Sequence, residues 1–176
     1  ISPKVKEIVQ KGLDSDNEGI NTVDLVLNVA NLQSGLIKYD MKPLDFKKVA
    51  EEIIDAKKDQ ANQRGLELKT DIKKGGYPVS GDALWLKEAA QSLVDNALKY
   101  TMKGSVTVGL KRQNDKILFS VKDTGVGLVD EDKKNLFTEG GRGKDSLKIN
   151  VDSTGYGLYS TKMVVEAHKG RVWAES

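Results

Sequence analysis

Three short stretches of this chain carry side chains whose types and spacing suit the recognition of phosphates and of a heterocycle. The first is SLVDNALKYT, residues 92–101. On a helix, Ser92, Asn96, Lys99 and Tyr100 share one stripe, at spacings of four, three and one. An Asn on a buried helix face needs a partner, because an unpaired amide costs about 1–3 kcal/mol. Its carbonyl oxygen suits Mg²⁺ already bound to phosphates. Lys99 adds a point charge one turn further on. The second stretch is Asp123-Thr124-Gly125-Val126-Gly127, directly after the alternating run Ile117 to Val121. A carboxylate at a strand end accepts a hydrogen bond from an exocyclic amine such as that of adenine. The two glycines let the backbone approach a ring and hinge the loop beyond. The third is Thr154-Gly155-Tyr156-Gly157-Leu158, which opens the last long helical pattern. Small residues there present bare N–H groups and a positive dipole end to an anion. Each stretch alone also fits ordinary structure: a solvated helix edge, a hairpin turn and loop punctuation.

The elements that must hold these groups follow from local signals. Ser2-Pro3 reads as an N-cap followed by proline at the first helical position. Apolar residues then recur at three and four to about Ile37, which predicts a helix ~50 Å long. Ser15 and Glu18 offer a competing capping box, and Gly12 and Gly19 each cost roughly 1 kcal/mol against Ala. We read the helix as continuous. YDMKPLDF (39–46) is an extended linker whose Leu44 and Phe46 pair into a sheet edge, Pro43 biasing Lys42 away from helix. An amphipathic helix over 46–63 ends at Gly65. LELKTDI (66–72) and PVSG are strands, and Asp82 caps a helix from about 83 to 100. Strands follow at 105–112 and 116–123, joined by QND. Residues 125–153 are glycine-rich, charged and aperiodic, as in a functional or mobile loop. Helical spacing returns from Thr154 to Lys169, and GRVWAES closes with a strand. The predicted fold is α+β: a two-layer α/β sandwich with a mixed sheet, preceded by a long N-terminal helix.

The 176 residues suffice for one good core with an appended element. With 38% hydrophobic and 31% charged residues, the composition is that of a soluble globular protein. A net charge of +2 gives no electrostatic case for nucleic acid or an acidic membrane as partner. The absence of cysteine removes disulfides and thiolate metal sites and fits a reducing cytosol. No apolar run is long enough to span a bilayer, and the N-terminus does not read as a signal peptide.

In this order, DNALKYT, DTGVG and TGYGL resemble the N, G1 and G2 boxes of the catalytic ATP-binding domain of sensor histidine kinases. The wider GHKL superfamily adds gyrase-type topoisomerases, a heat-shock chaperone and a mismatch-repair protein. The match covers about residues 40–176, and EAHKGRVWAES resembles the family's closing helix and strand. The resemblance implies that Asp123 reads adenine, Asn96 ligates Mg²⁺, and Lys99 and Tyr100 lie near phosphate and ribose. Gly125 and Gly127 become the near hinge of a lid of about residues 125–153. Thr154, Gly155, Gly157 and Leu158 form its far end beside the phosphates, and Arg142 and Lys144 add charge from the lid. ATP and Mg²⁺ are the implied cofactors. Residues 1–38 resemble the second helix of a dimerisation hairpin, and 39–176 the catalytic domain. The implied partners are a phosphoacceptor histidine segment of the same protein, a response regulator and a second copy, with no nucleic acid. The implied location is the cytoplasm, including the cytoplasmic part of a membrane-anchored sensor.

The sequence departs from the family's pattern at several points. The accepting histidine belongs to a first hairpin helix that this sequence lacks. The single histidine, His168, reads as a structural group at a helix end. Gly140-Gly141 stand after Phe137 where the family has a second aromatic pair, and Ser153 stands where the G2 box begins with Gly. Of the two alternative readings, a GHKL-type ATPase and a non-catalytic ATP-binding or dimerisation module, the first is disfavoured: the hydrolase relatives carry a Glu four residues before the Asn, and Ser92 stands in its place.

Overall fold

A computed structural model of the chain describes residues 3–141 and 155–176. It divides into two compact units, residues 1–37 and 38–176. The first is one helix, α1 (Pro3–Gln33), continuous through Gly12 and Gly19. It stops before the predicted Ile37, where Gly35 takes a left-handed φ of 66° and its N–H bonds to Leu32 O.

The second unit runs β1 (Lys42–Asp45), α2 (Phe46–Gln63), β2 (Leu66–Ile72), β3 (Pro78–Gly81), α3 (Ala83–Tyr100), β4 (Gly104–Gln113) and β5 (Lys116–Asp123). A short α4 (Asp130–Asn135) and then α5 (Gly157–Ala167) follow. The main sheet has three strands in the order β2-β4-β5, with β2 parallel and β5 antiparallel to β4. The sheet is therefore mixed, as predicted. β1 and β3 form a separate antiparallel pair.

The reasons are local first. Asp45 caps α2 by accepting from Lys47 N–H, and Asp82 caps α3 by accepting from Leu84 and Trp85 N–H. Gly65, at φ 66°, lets the chain leave α2. The apolar stripes of the two helices then meet one sheet face. Ile53, Ile54, Val94 and Leu98 pack with Val106, Val108 and Leu110 of β4, which lies between its two neighbours. Tyr77 is buried there, its hydroxyl 2.8 Å from Lys73 O and 3.0 Å from Leu110 O. Lys57 and Asp95 bridge α2 and α3 at 2.6 Å.

The structure departs from three further expectations. Phe46 opens α2 instead of pairing in a sheet edge with Leu44, because Asp45 has already turned the chain into the helix. α4 lies within the stretch read as an aperiodic loop, with Asp132 buried. Residues 171–176 form no ladder. Their exposure still alternates, Val172 and Ala174 being half-buried and Arg171, Trp173 and Glu175 exposed. Alternation says which side faces inward, but a ladder also needs a neighbour's free backbone groups, and no described strand pairs with this segment. Local side-chain contacts hold it instead: Arg171 stacks on Trp173 at 4.8 Å, and Trp173 Nε1–H donates to Glu175 Oε1.

Candidate nucleotide site

α3 carries the first set of groups. Asn96 is half-buried, and its Nδ2 donates to Ser92 O at 2.9 Å. That bond supplies a partner for its amide N–H, and Oδ1 is the acceptor end of the side chain. Among the described residues no three His, Asp or Glu side chains gather as a metal cage. Asn96 Oδ1 is the kind of oxygen that can join the coordination shell of a cation already bound to phosphates. Lys99 and Tyr100 end the helix half-buried, and the Lys99 carbonyl accepts from Arg64 Nη2 at 3.2 Å. Thr101 closes α3, its buried hydroxyl donating to Ala97 O at 2.7 Å.

β5 delivers Asp123 to the same end of α3. Gly125 N–H donates to Asp123 Oδ1 at 2.8 Å, so the carboxylate is oriented by its own loop. A Cβ on Gly125 would lie 2.5 Å from Tyr100 O, so only glycine lets this loop close against the end of α3. Thr124, to which the sequence assigns no role of its own, fastens the loop. Its hydroxyl accepts from Ser105 N–H at 3.0 Å and reaches Lys103 O at 3.3 Å. Gly104, at φ 113°, makes room for that hydroxyl, which occupies the space a Cβ would need. A glycine at the start of a strand after a helix was the only signal of this, and it reads equally well as a turn.

α5 brings the third set. A Cβ on Gly157 would lie 3.1 Å from Ser92 Oγ, so the first turn of α5 meets α3 one turn before Asn96. Thr161 is buried in the same seam, donating to Gly157 O at 2.9 Å with Ala89 O at 3.5 Å. Tyr156, at the N-cap, gives the first turn no side-chain hydrogen bond. Gly155, at φ 73°, packs against the backbone of Gly140, and Leu158 is half-buried. Gly140-Gly141 thus sit where the far side of the loop returns. The first and third sets meet through Ser92 and Gly157, the first and second through Tyr100 and Gly125. Gly127, at φ 72°, faces Ser176, whose hydroxyl accepts from Leu128 N–H at 2.9 Å, so this side of the loop is tied to the chain's closing segment. Arg142, Lys144, Ser153 and Thr154 lie outside the described residues.

Residues 81–176, more than half of the chain, match the family described as "Histidine kinase-, DNA gyrase B-, and HSP90-like ATPase". This chain belongs to that family of ATP-binding domains. It is 24% identical over 179 residues to the circadian input-output histidine kinase CikA of Synechococcus elongatus, across 100% of this chain and 24% of the relative. It is 33% identical to the adaptive-response sensory kinase SasA of Gloeothece citriformis, across 71% of this chain and 32% of the relative. The chain thus spans a third or less of these two curated kinases. Its fold superposes on the full-length ShkA structure solved with AMPPNP, with a TM-score of 0.77 at 20% identity over 95% of this chain and 35% of that one.

Within the histidine-kinase-type ATPase fold, His168 sits at the far end of α5 from Gly157. Its Nε2 accepts from Asp82 N–H at 2.9 Å, and Nδ1 lies 2.7 Å from Val164 O. It is a structural group at a helix end, as its place in the sequence suggested. Asp82 also accepts from Asp40 N–H at 2.8 Å. Burial works to raise the Asp82 carboxyl, but the N–H donors of Asp40, Trp85 and Leu84 outweigh it and hold the group below its ordinary value. Burial and then Asp82 push the Tyr39 hydroxyl above its ordinary value. No helix among the described residues is long and apolar enough to cross a membrane.

Proposed function

We propose that this chain is the catalytic ATP-binding part of a two-component sensor histidine kinase, with residues 39–176 as the catalytic domain and 1–38 as one helix of a dimerisation hairpin. The observation that carries the reading is the meeting of all three residue sets around the C-terminal half of α3, through Gly125 against Tyr100 and Gly157 against Ser92. In this reading Asp123 accepts from the adenine amine, and the Gly155–Leu158 turn and Lys99 face the phosphates, joined by Arg142, Lys144 and Thr154. Asn96 Oδ1 holds Mg²⁺, which neutralises phosphate charge when bound. The chain's own task is positioning. The γ-phosphorus–oxygen bond to ADP breaks as a phosphorus–nitrogen bond forms to a histidine on another segment, and no covalent intermediate on this chain is needed. Hydrolysis would need a base to activate water, and Ser92 supplies none at neutral pH.

The exposed apolar residues of α1, among them Val5, Val9, Leu13, Ile20, Val23 and Leu27, suit a bundle with a second copy. A response regulator would take the phosphoryl group onward, and the reaction belongs in the cytoplasm, where ATP is.

The test supplies this chain with labelled ATP, Mg²⁺ and a separate helical segment carrying a histidine followed by an acid. Base-stable, acid-labile label on that segment, with none on His168, is the expected result. Label on His168, or rapid ATP turnover by the chain alone, would overturn the reading. Replacing Ser92 with Glu restores the hydrolase relatives' carboxylate one turn from Asn96, and a rise in ATP turnover is expected wherever the Gly157 contact can accommodate it.

A further inference from the structure

The nucleotide site uses one end of α5; the other end holds a cluster that the proposed chemistry leaves unused. Asp82 N–H can only donate, so His168 Nε2 must accept, and the ring's hydrogen sits on Nδ1, where it donates to Val164 O. His168 is thus the neutral Nδ1–H tautomer, with both nitrogens committed to backbone. The same ring meets Tyr39 edge-on at 5.1 Å, and Tyr39 meets Trp85 at 6.1 Å. The Asp82 carboxylate takes Asp40 N–H while capping α3 through Leu84 and Trp85. Gly81 completes the contact, since a Cβ there would lie 2.9 Å from His168 Cδ2. Residues at the very start of the second unit are therefore held by the last residues of α5.

We propose that His168 is a positioning residue: through Asp82 and Tyr39 it clamps the entering segment Tyr39–Asp40 to α5, whose opposite end meets the nucleotide, so nucleotide binding and clamping reinforce each other. This coupling rests on the nucleotide reading above. α5 is 11 residues long, a rod of roughly 16 Å, and Thr161 seats its middle on α3. A ligand that fixes Gly155–Leu158 against Ser92 and Asn96 also fixes the axis on which His168 is carried. By linkage, a chain held at Tyr39–Asp40 binds nucleotide more tightly by the same factor.

Two amides report on the clamp directly, since Asp82 N–H ends on His168 and Asp40 N–H on Asp82. Residue-resolved hydrogen exchange is measured with and without saturating Mg-ADP, occupancy being checked by calorimetry. Slowing of both amides by about fivefold or more is expected on binding. In His168→Phe, which keeps a ring against Tyr39 but no acceptor, Asp82 should exchange faster even without nucleotide. Its Mg-ADP affinity should fall by about the same fivefold. His168→Gln, whose amide oxygen can accept from Asp82 N–H, should recover part of both. Unchanged exchange at Asp40 and Asp82 under proven saturation overturns the coupling while leaving the nucleotide reading intact. Unchanged Asp82 exchange in apo His168→Phe overturns the clamp itself. Failure of Mg-ADP to bind at all overturns the nucleotide reading and the coupling together, and leaves the clamp to the apo comparison.

Discussion

The Asp123–Gly125 loop and helix α5 meet opposite ends of the C-terminal half of α3, the two ends of the proposed site, but by different means. The loop is fastened through its backbone: Gly125 lies against Tyr100 O, and Thr124 is bonded to Ser105 and Lys103 in the space left by Gly104. Nothing there can shift without breaking a contact to β4 or α3. α5 is seated by scattered side-chain contacts: Gly157 on Ser92, Thr161 near Ala89 and His168 on Asp82. A rigid carboxylate suits recognition of a flat base, where a small misplacement loses the hydrogen bond. In the proposed site, a helix held at separate points suits the phosphate end, where groups must be admitted and released.

The sharpest break in this comparison is at the rigid end. Asp123→Ala should weaken adenine nucleotide binding roughly 10- to 150-fold, the loss of a charge-assisted hydrogen bond of about 1.5–3 kcal/mol. Calorimetry on both proteins checks it. Equal affinity, or GTP bound as well as ATP, would remove Asp123 from its role.

Next in size is Gly104→Ala, which sets a Cβ against the Thr124 hydroxyl at φ 113°. It should destabilise the protein by about 1–3 kcal/mol in denaturant titration. Adding Thr124→Ala should return part of that loss, because the two changes share one contact. Strict additivity would mean that the hydroxyl is not what fastens the loop.

The smallest effect belongs to the far end of α5. Asp82→Ala removes the α3 cap and the acceptor for Asp40 N–H, and should cost about 0.5–2 kcal/mol. The Asp82 carboxyl is held below its ordinary value, so its folded form binds protons less readily than its unfolded form. Its stabilisation is therefore complete above the ordinary carboxylate range and is lost as pH falls through the lowered folded value. The gap between wild type and Asp82→Ala should narrow in acid below about pH 4. A gap that stays constant down to pH 2 would show that the charge on Asp82 contributes nothing.

Much of the fold was legible because its signals are local. α2, β2, β3, α3 and β5 begin and end where caps, glycines and alternation place them: Asp82 before α3, Gly65 after α2, and the Ile117–Val121 run up to Asp123. The types of the site residues were legible for the same reason. α4 was not, because a helix of six residues has too few turns to show a period. It is steadied instead by the distant Ser176, whose carbonyl accepts from Lys133 and whose hydroxyl accepts from Leu128 N–H. The ladder expected at 171–176 failed for the complementary reason. Its pattern was right, but pairing depends on what lies beside it.

By itself the sequence determined where the longer helices and the paired strands run and which groups stand at their ends, because capping, φ preference and periodicity act within about one helical turn. It determined that an Asn, an Asp and a glycine-flanked helix start would all be present. Only the tertiary structure decided that Gly157 would meet Ser92, that Thr124 would bond to β4 from 19 residues away, and that His168 would accept a hydrogen bond from an amide 86 residues earlier. Contacts of that reach carry no local signature. They exist because the apolar stripes of α2 and α3 cover one face of the sheet, and α5 then packs across α3 with both its ends against fixed partners.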